Sequence, residues 1–177
     1  MMYINKVLAK HLFFSLYFHM DKLYEYTLKH ISERYNSSED FLDGVMARIA
    51  WHESRGKVDC KQIGGGPGRG LFQFEKGYQQ GAETAMKRLL RWLANHEIAT
   101  PSWANIGIEG VDASVLSAEA QKMMFLGNVR YHPKASFKGL TFKNLREWWA
   151  DYHWAGDASH RKGHMKSFDH SMEHFKG

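Results

Sequence analysis

The sequence holds a single cysteine, Cys60, among 177 residues. An intramolecular disulfide is therefore excluded, and the fold owes nothing to an oxidising compartment. Cys60 reads as a bystander, because no partner for it is implied nearby. Proline is almost as scarce, with 3 residues, which leaves long stretches free to be helical. Long apolar runs are missing too. The best candidate, Val7 to Phe18, is interrupted by Lys10 and His11 and is too short to span a bilayer. It lacks the clean apolar stretch and small-residue cleavage site of a signal peptide, so an amphipathic helix is expected there. There are no repeats and no low-complexity linker, and one compact unit is expected.

What is present is a globular composition, with 44% hydrophobic residues. Lys and Arg number 24 against 19 Asp and Glu, a net charge of +5. That balance favours polyanionic partners such as nucleic acid, acidic lipid or wall polymers, without choosing among them. Residues 5–34 read as one or two helices with Asp21 as a candidate cap, and Asn36-Ser37-Ser38 breaks them. Ser37 with Asp40 resembles a capping box for a helix over 38–53. Its Leu42, Val45, Met46, Ile49 and Ala50 form the stripe of a buried helix face. The run Gly64-Gly65-Gly66-Pro67-Gly68-Arg69-Gly70 cannot be helical, and Leu71 to Phe74 after it reads as a short extended piece. Further helices are expected over 78–96, 115–130, from a cap at Thr141 to a stop at Gly156, and over 158–175.

Glu53 stands four residues after Ile49 and so falls on the buried face. A carboxyl at the inner edge of such a stripe loses water, and its pKa rises. That suits a general acid, which must keep its proton near neutral pH. The competing reading is a helix-end Glu turned to solvent or paired with Arg55. The glycine-rich segment that follows favours the first, because small residues let backbone approach a ligand. It is not a phosphate cradle, since the Gly-Lys-Ser/Thr ending is missing.

Three motifs then carry a resemblance. Ile49-Ala50-Trp51-His52-Glu53-Ser54-Arg55-Gly56 resembles the Glu-Ser helix end of the soluble lytic transglycosylase and goose-type lysozyme superfamily. Gly70-Leu71-Phe72-Gln73 is similar to its Gly-Leu-Met-Gln motif, with Phe for Met. Asp151-Tyr152-His153-Trp154-Ala155-Gly156 resembles its Ala-Tyr-Asn-Ala-Gly motif, lengthened by one residue. The resemblance implies a mainly α, lysozyme-like fold with a short Gly-rich, β-like insert. Residues 1–35 would be an N-terminal helical extension and 36–177 the catalytic domain.

By the same resemblance, Glu53 would be the general acid and then the base, and Ser54 would contact the substrate's acyl group. Gly70, Phe72 and Gln73 would line the substrate cleft, Gln73 bonding sugar. Tyr152 would bond or orient the Glu53 carboxyl. Trp154 would line the cleft as a sugar-stacking aromatic, while Trp148 and Trp149 are expected to be mainly structural. Glu75 occupies the place where goose-type lysozymes carry an Asp, which makes it the candidate second carboxylate of a hydrolytic lysozyme. Without it, the muramic 6-hydroxyl attacks and leaves a 1,6-anhydro end. Asp59 is a further candidate.

The implied substrate and partner is bacterial peptidoglycan. No cofactor, metal, nucleic acid or stable membrane anchor is expected, and the chain is expected to act as a monomer. The histidines His160, His164, His170 and His174 read as a solvated helix face. With no evident signal or anchor, the muralytic enzyme that the resemblance implies fits a bacteriophage enzyme, acting from the virion or in the host during lysis, in the periplasm or wall. A non-catalytic wall-binding or phage structural protein is the alternative.

Overall fold

The computed structural model describes residues 6–77, 81–105, 107–133, 135–153 and 158–177, with side chains from Met20 onward except that of His153. The described elements are α1 (Lys6–Arg34), α2 (Glu39–Ser54), β1 (Gly68–Arg69), β2 (Phe74–Glu75), α3 (Ala82–Asn95), α4 (Ala118–Arg130), α5 (Leu145–His153) and α6 (Ala158–Met172). Short 3₁₀ turns lie at Ser102–Asn105 and Ala113–Val115. Among the described residues the protein is mainly helical, with one two-stranded sheet.

The centre of the fold is α4. Every residue from Ala120 to Val129 except Lys122 is buried, the mark of a helix surrounded by others rather than lying on a surface. Its tightest neighbour is α3. A Cβ on Gly127 would lie 2.9 Å from the Leu89 Cα, so glycine is what lets these two backbones meet. The α1 helix also packs on α4 and α2, burying Leu28 and Ile31 in the common core. It runs unbroken through Asp21, which therefore caps nothing. The segment expected as an extension thus shares its core with the remainder of the chain.

The stripe expected on α2 is buried as a unit: Leu42, Val45, Met46, Ile49 and Ala50. The helix starts one residue later than the capping-box reading has it. Ser38, not Ser37, is the N-cap, and its Oγ accepts from Phe41 N–H at 3.1 Å. Glu39 and Asp40 in the first turn face the positive end of the dipole. At the other end Arg55 takes a left-handed conformation (φ 56°), and Gly56 N–H returns to Ala50 O at 3.2 Å. This closure stops the helix directly beyond Glu53 and Ser54.

The chain then makes a small antiparallel hairpin, with Gly68 opposite Glu75 and Arg69 opposite Phe74. Ahead of α5, Asn144 and Thr141 bond each other, and Asn144 O receives the Trp148 N–H at 2.9 Å. Asn144 rather than Thr141 therefore stands at the helix entrance. On the far side, α6 packs against α5 and α2. Gly156 lies outside the described residues. Among those described, no helix is long and apolar enough to cross a membrane.

Candidate active site

Glu53 sits in the last turn of α2 with its side chain 14% exposed. Its Oε1 accepts a 2.9 Å hydrogen bond from the Trp149 indole N–H of α5. Burial pushes its pKa up to about 7, against the smaller opposing pull of the Trp149 bond. At neutral pH a large fraction of this carboxyl therefore carries a proton. Asp43, by contrast, is held ionised: the Lys122 ammonium and the Tyr24 hydroxyl bond it and outweigh its own burial.

Behind Glu53 is a shelf of stacked rings. Trp149 lies nearly parallel to Tyr152, with centroids 4.9 Å apart, and Trp148 stacks on both. His132 covers Tyr152 at 4.9 Å. The Tyr152 hydroxyl accepts from the Asn128 amide, whose Oδ1 in turn receives Arg88 at 2.7 Å. Burial raises the Tyr152 pKa, so the phenol keeps its proton. The expectation for Tyr152 is that it bonds or orients the Glu53 carboxyl; the described bond to that carboxyl comes from Trp149, one helical turn earlier on α5, and Tyr152 stacks on that indole. Trp149 thus does more than the structural part expected of it.

On the other flank of Glu53 is His52. Its Nε2 lies 3.5 Å from Glu53 Oε1, and its Nδ1 is 2.9 Å from the Ser171 hydroxyl of α6. The ring packs on Phe168. Burial pushes the His52 pKa down to about 4, with His164 and Arg55 acting the same way. This imidazole is neutral at pH 7. Nearby, Trp51 Nε1–H donates to Ser171 O at 3.0 Å, so two consecutive side chains of α2 hold the same turn of α6.

The glycine-rich hairpin is fixed by one buried amide, Gln121 of α4. Its Oε1 accepts from Leu71 N–H at 2.6 Å, and its Nε2 donates to Val58 O and Leu116 O, each at 3.0 Å. Gly70 must be glycine. Its φ is +74°, and a Cβ there would lie 2.1 Å from Gln121 Oε1. Gly70 N–H bonds Cys60 O at 2.7 Å, and the Gln73 amide donates to Gly70 O at 2.9 Å.

The remaining expected residues fall out as follows. Ser54 is buried, and its hydroxyl donates to Ala50 O at 2.9 Å, a bond within its own helix. Phe72 is a core residue, 2% exposed and stacked on Phe125 at 4.6 Å, so its ring lines no cleft. Gln73 is half-buried at the hairpin turn. Glu75 is exposed, because strand alternation turns it outward when Phe74 turns in. Asp59 is exposed as well. Trp154 lies outside the described residues.

The sequence reading missed His52, Ser171, Gln121 and Asn128. A signal existed for His52 alone, as the neighbour of Glu53.

Two other features are separate from this site. His170 in the last turn of α6 and Glu173 and His174 just beyond its end, all exposed, bring donor atoms within 4.8 Å of one another and form the metal-capable cluster among the described residues. An open groove of about 770 Å³ lies between Tyr35, Phe41, Phe137, Leu140 and Phe142. It meets α2 at its first turn, roughly 18 Å along the helix from Glu53 at 1.5 Å per residue. No protein-family model, curated protein or solved structure matches this chain.

Proposed function

We propose that Glu53 is the general acid of an enzyme that cleaves the β-1,4 bond between N-acetylmuramic acid and N-acetylglucosamine in peptidoglycan, within a lysozyme-like fold. One observation carries the reading: a carboxyl at a helix end, fixed by an indole and desolvated to a pKa of about 7, directly before a glycine-rich hairpin. Such a group holds its proton where cleavage must run and is still acidic enough to release it.

The steps balance. Protonated Glu53 gives its proton to the bridging oxygen, and the C1–O bond breaks with oxocarbenium character at C1. The Glu53 carboxylate then takes the proton of the muramic 6-hydroxyl as that oxygen bonds C1. The product is a 1,6-anhydro end, and the acid is regenerated. This lytic transglycosylase route uses one carboxyl in both roles, and Glu53 is the carboxyl whose environment suits them. Hydrolysis instead requires a second carboxylate to activate water, and Glu75 on the exposed edge of the hairpin is the candidate. Gln73 at the hairpin turn is the sugar-bonding side chain of either route. A phage muralytic role follows the same reading.

Loss of turbidity in a bacterial wall suspension tests it. Wild type should clear the suspension, and Glu53→Gln should be slower by a factor of about 10² or more. Equal clearing by both would remove Glu53 from the acid's role. No clearing by either would favour a wall-binding protein without chemistry.

A further inference from the structure

The hydroxyl of Ser171 has one proton and two acceptors within reach, Ser167 O and His52 Nδ1. Ser171 Oγ donates to Ser167 O at 3.0 Å, a bond along α6. With the proton on that bond, the contact with His52 Nδ1 at 2.9 Å is one in which the oxygen accepts. His52 then carries its proton on Nδ1, which leaves a lone pair on Nε2. That nitrogen is the one 3.5 Å from Glu53 Oε1. The alternative tautomer would aim an N–H at the carboxyl and favour its ionised form. The two tautomers thus have opposite effects on the candidate acid, and Ser171, 119 positions away in sequence, selects between them.

We propose that Ser171 is a positioning residue: it locks His52 as the Nδ1–H tautomer, so that the Nε2 lone pair faces Glu53 and the proton of the pair stays on the carboxyl. The consequence for wall cleavage rests on the reading of Glu53 as the acid; the tautomer itself does not. Burial of the pair maintains the arrangement. His52 is enclosed by Phe168, and the charged or titratable groups that face it are Glu53 and Arg55 from its own helix end and His164 from α6. His164 and Arg55 both oppose a second proton on the ring. Trp51 reinforces the lock, because its bond to Ser171 O fixes the turn that carries the hydroxyl.

The test is nitrogen-15 NMR of the histidine rings at neutral pH, together with the pH profile of wall cleavage. Wild type should show the His52 proton on Nδ1. Ser171→Ala removes the acceptor, so the proton should move to Nε2, and the alkaline limb of cleavage should fall by about one pH unit. Ser171→Thr keeps the hydroxyl and should restore both the tautomer and the limb, which a merely structural loss of α6 packing would not do. A proton on Nε2 in wild type, or a tautomer unchanged in Ser171→Ala, would overturn the proposal. The tautomer is read whether or not the protein cuts peptidoglycan. A failed cleavage assay therefore overturns the functional reading, while an Nε2-bound proton overturns this one.

Discussion

Glu53 is stabilised and destabilised by the same surroundings. Its rise from 4.5 to about 7 means that the folded state resists its ionisation, by on the order of 3 kcal/mol at 1.36 kcal/mol per unit. The folded pKa lies above the unfolded one. Its contribution to stability is therefore complete below pH 4.5 and is lost as pH rises through about 7. Glu53→Gln has no charge to bury. Its stability relative to wild type should be greater at pH 8 than at pH 4 by about 3 kcal/mol, measured by urea unfolding at both. Trp149→Phe acts in the opposite sense to Ser171→Ala. It removes a donor that favours the carboxylate, so the Glu53 pKa should rise further and the alkaline limb of cleavage should move up by about one unit. A limb that stays in place would show that the indole bond does not bear on the acid.

Between elements, single polar side chains join segments that the chain keeps far apart. Gln121 spans 50 positions to reach Leu71 and ties the hairpin to α4. Gln121→Leu keeps the volume roughly but leaves the Leu71 N–H and two carbonyls without their partner. A loss of about 3 kcal/mol is expected, read from the urea midpoint. Ser38→Ala should cost about 1 kcal/mol by uncapping α2. These examples also mark what the sequence makes legible. The α2 stripe and the place of Glu53 on it follow from a 3.6-residue period, which is a local property. That the run from Gly64 to Gly70 is not helical is legible from its composition, whereas the left-handed φ of Gly70 is set by the fold. The choice of Ser38 over Ser37 as cap is not, because adjacent serines offer the same chemistry and only the entering chain direction decides. The Trp149–Glu53 bond joins residues 96 positions apart and the Ser171–His52 contact spans 119, and no periodicity encodes either. For Phe72 and Ser54 a motif fixes residue identity, while packing on Phe125 or a bond to Ala50 decides which way the side chain points.

For the whole molecule, α4 at the centre packs against both α3 and α1 and holds the hairpin through Gln121. The net charge of +5 belongs to this scale, since it acts through the summed field rather than through one contact. Co-sedimentation with anionic wall polymers should weaken as ionic strength rises from about 0.01 M to about 0.15 M, where the screening length falls from about 30 Å to about 8 Å. Binding insensitive to that change would assign the affinity to uncharged contacts. Chemistry is decided by the products. Mass spectrometry of the fragments released from purified peptidoglycan should find 1,6-anhydro ends with wild type and no release with Glu53→Gln. The same fragments from the Gln variant, or intact polymer with wild type, would contradict a cleavage driven by the Glu53 proton.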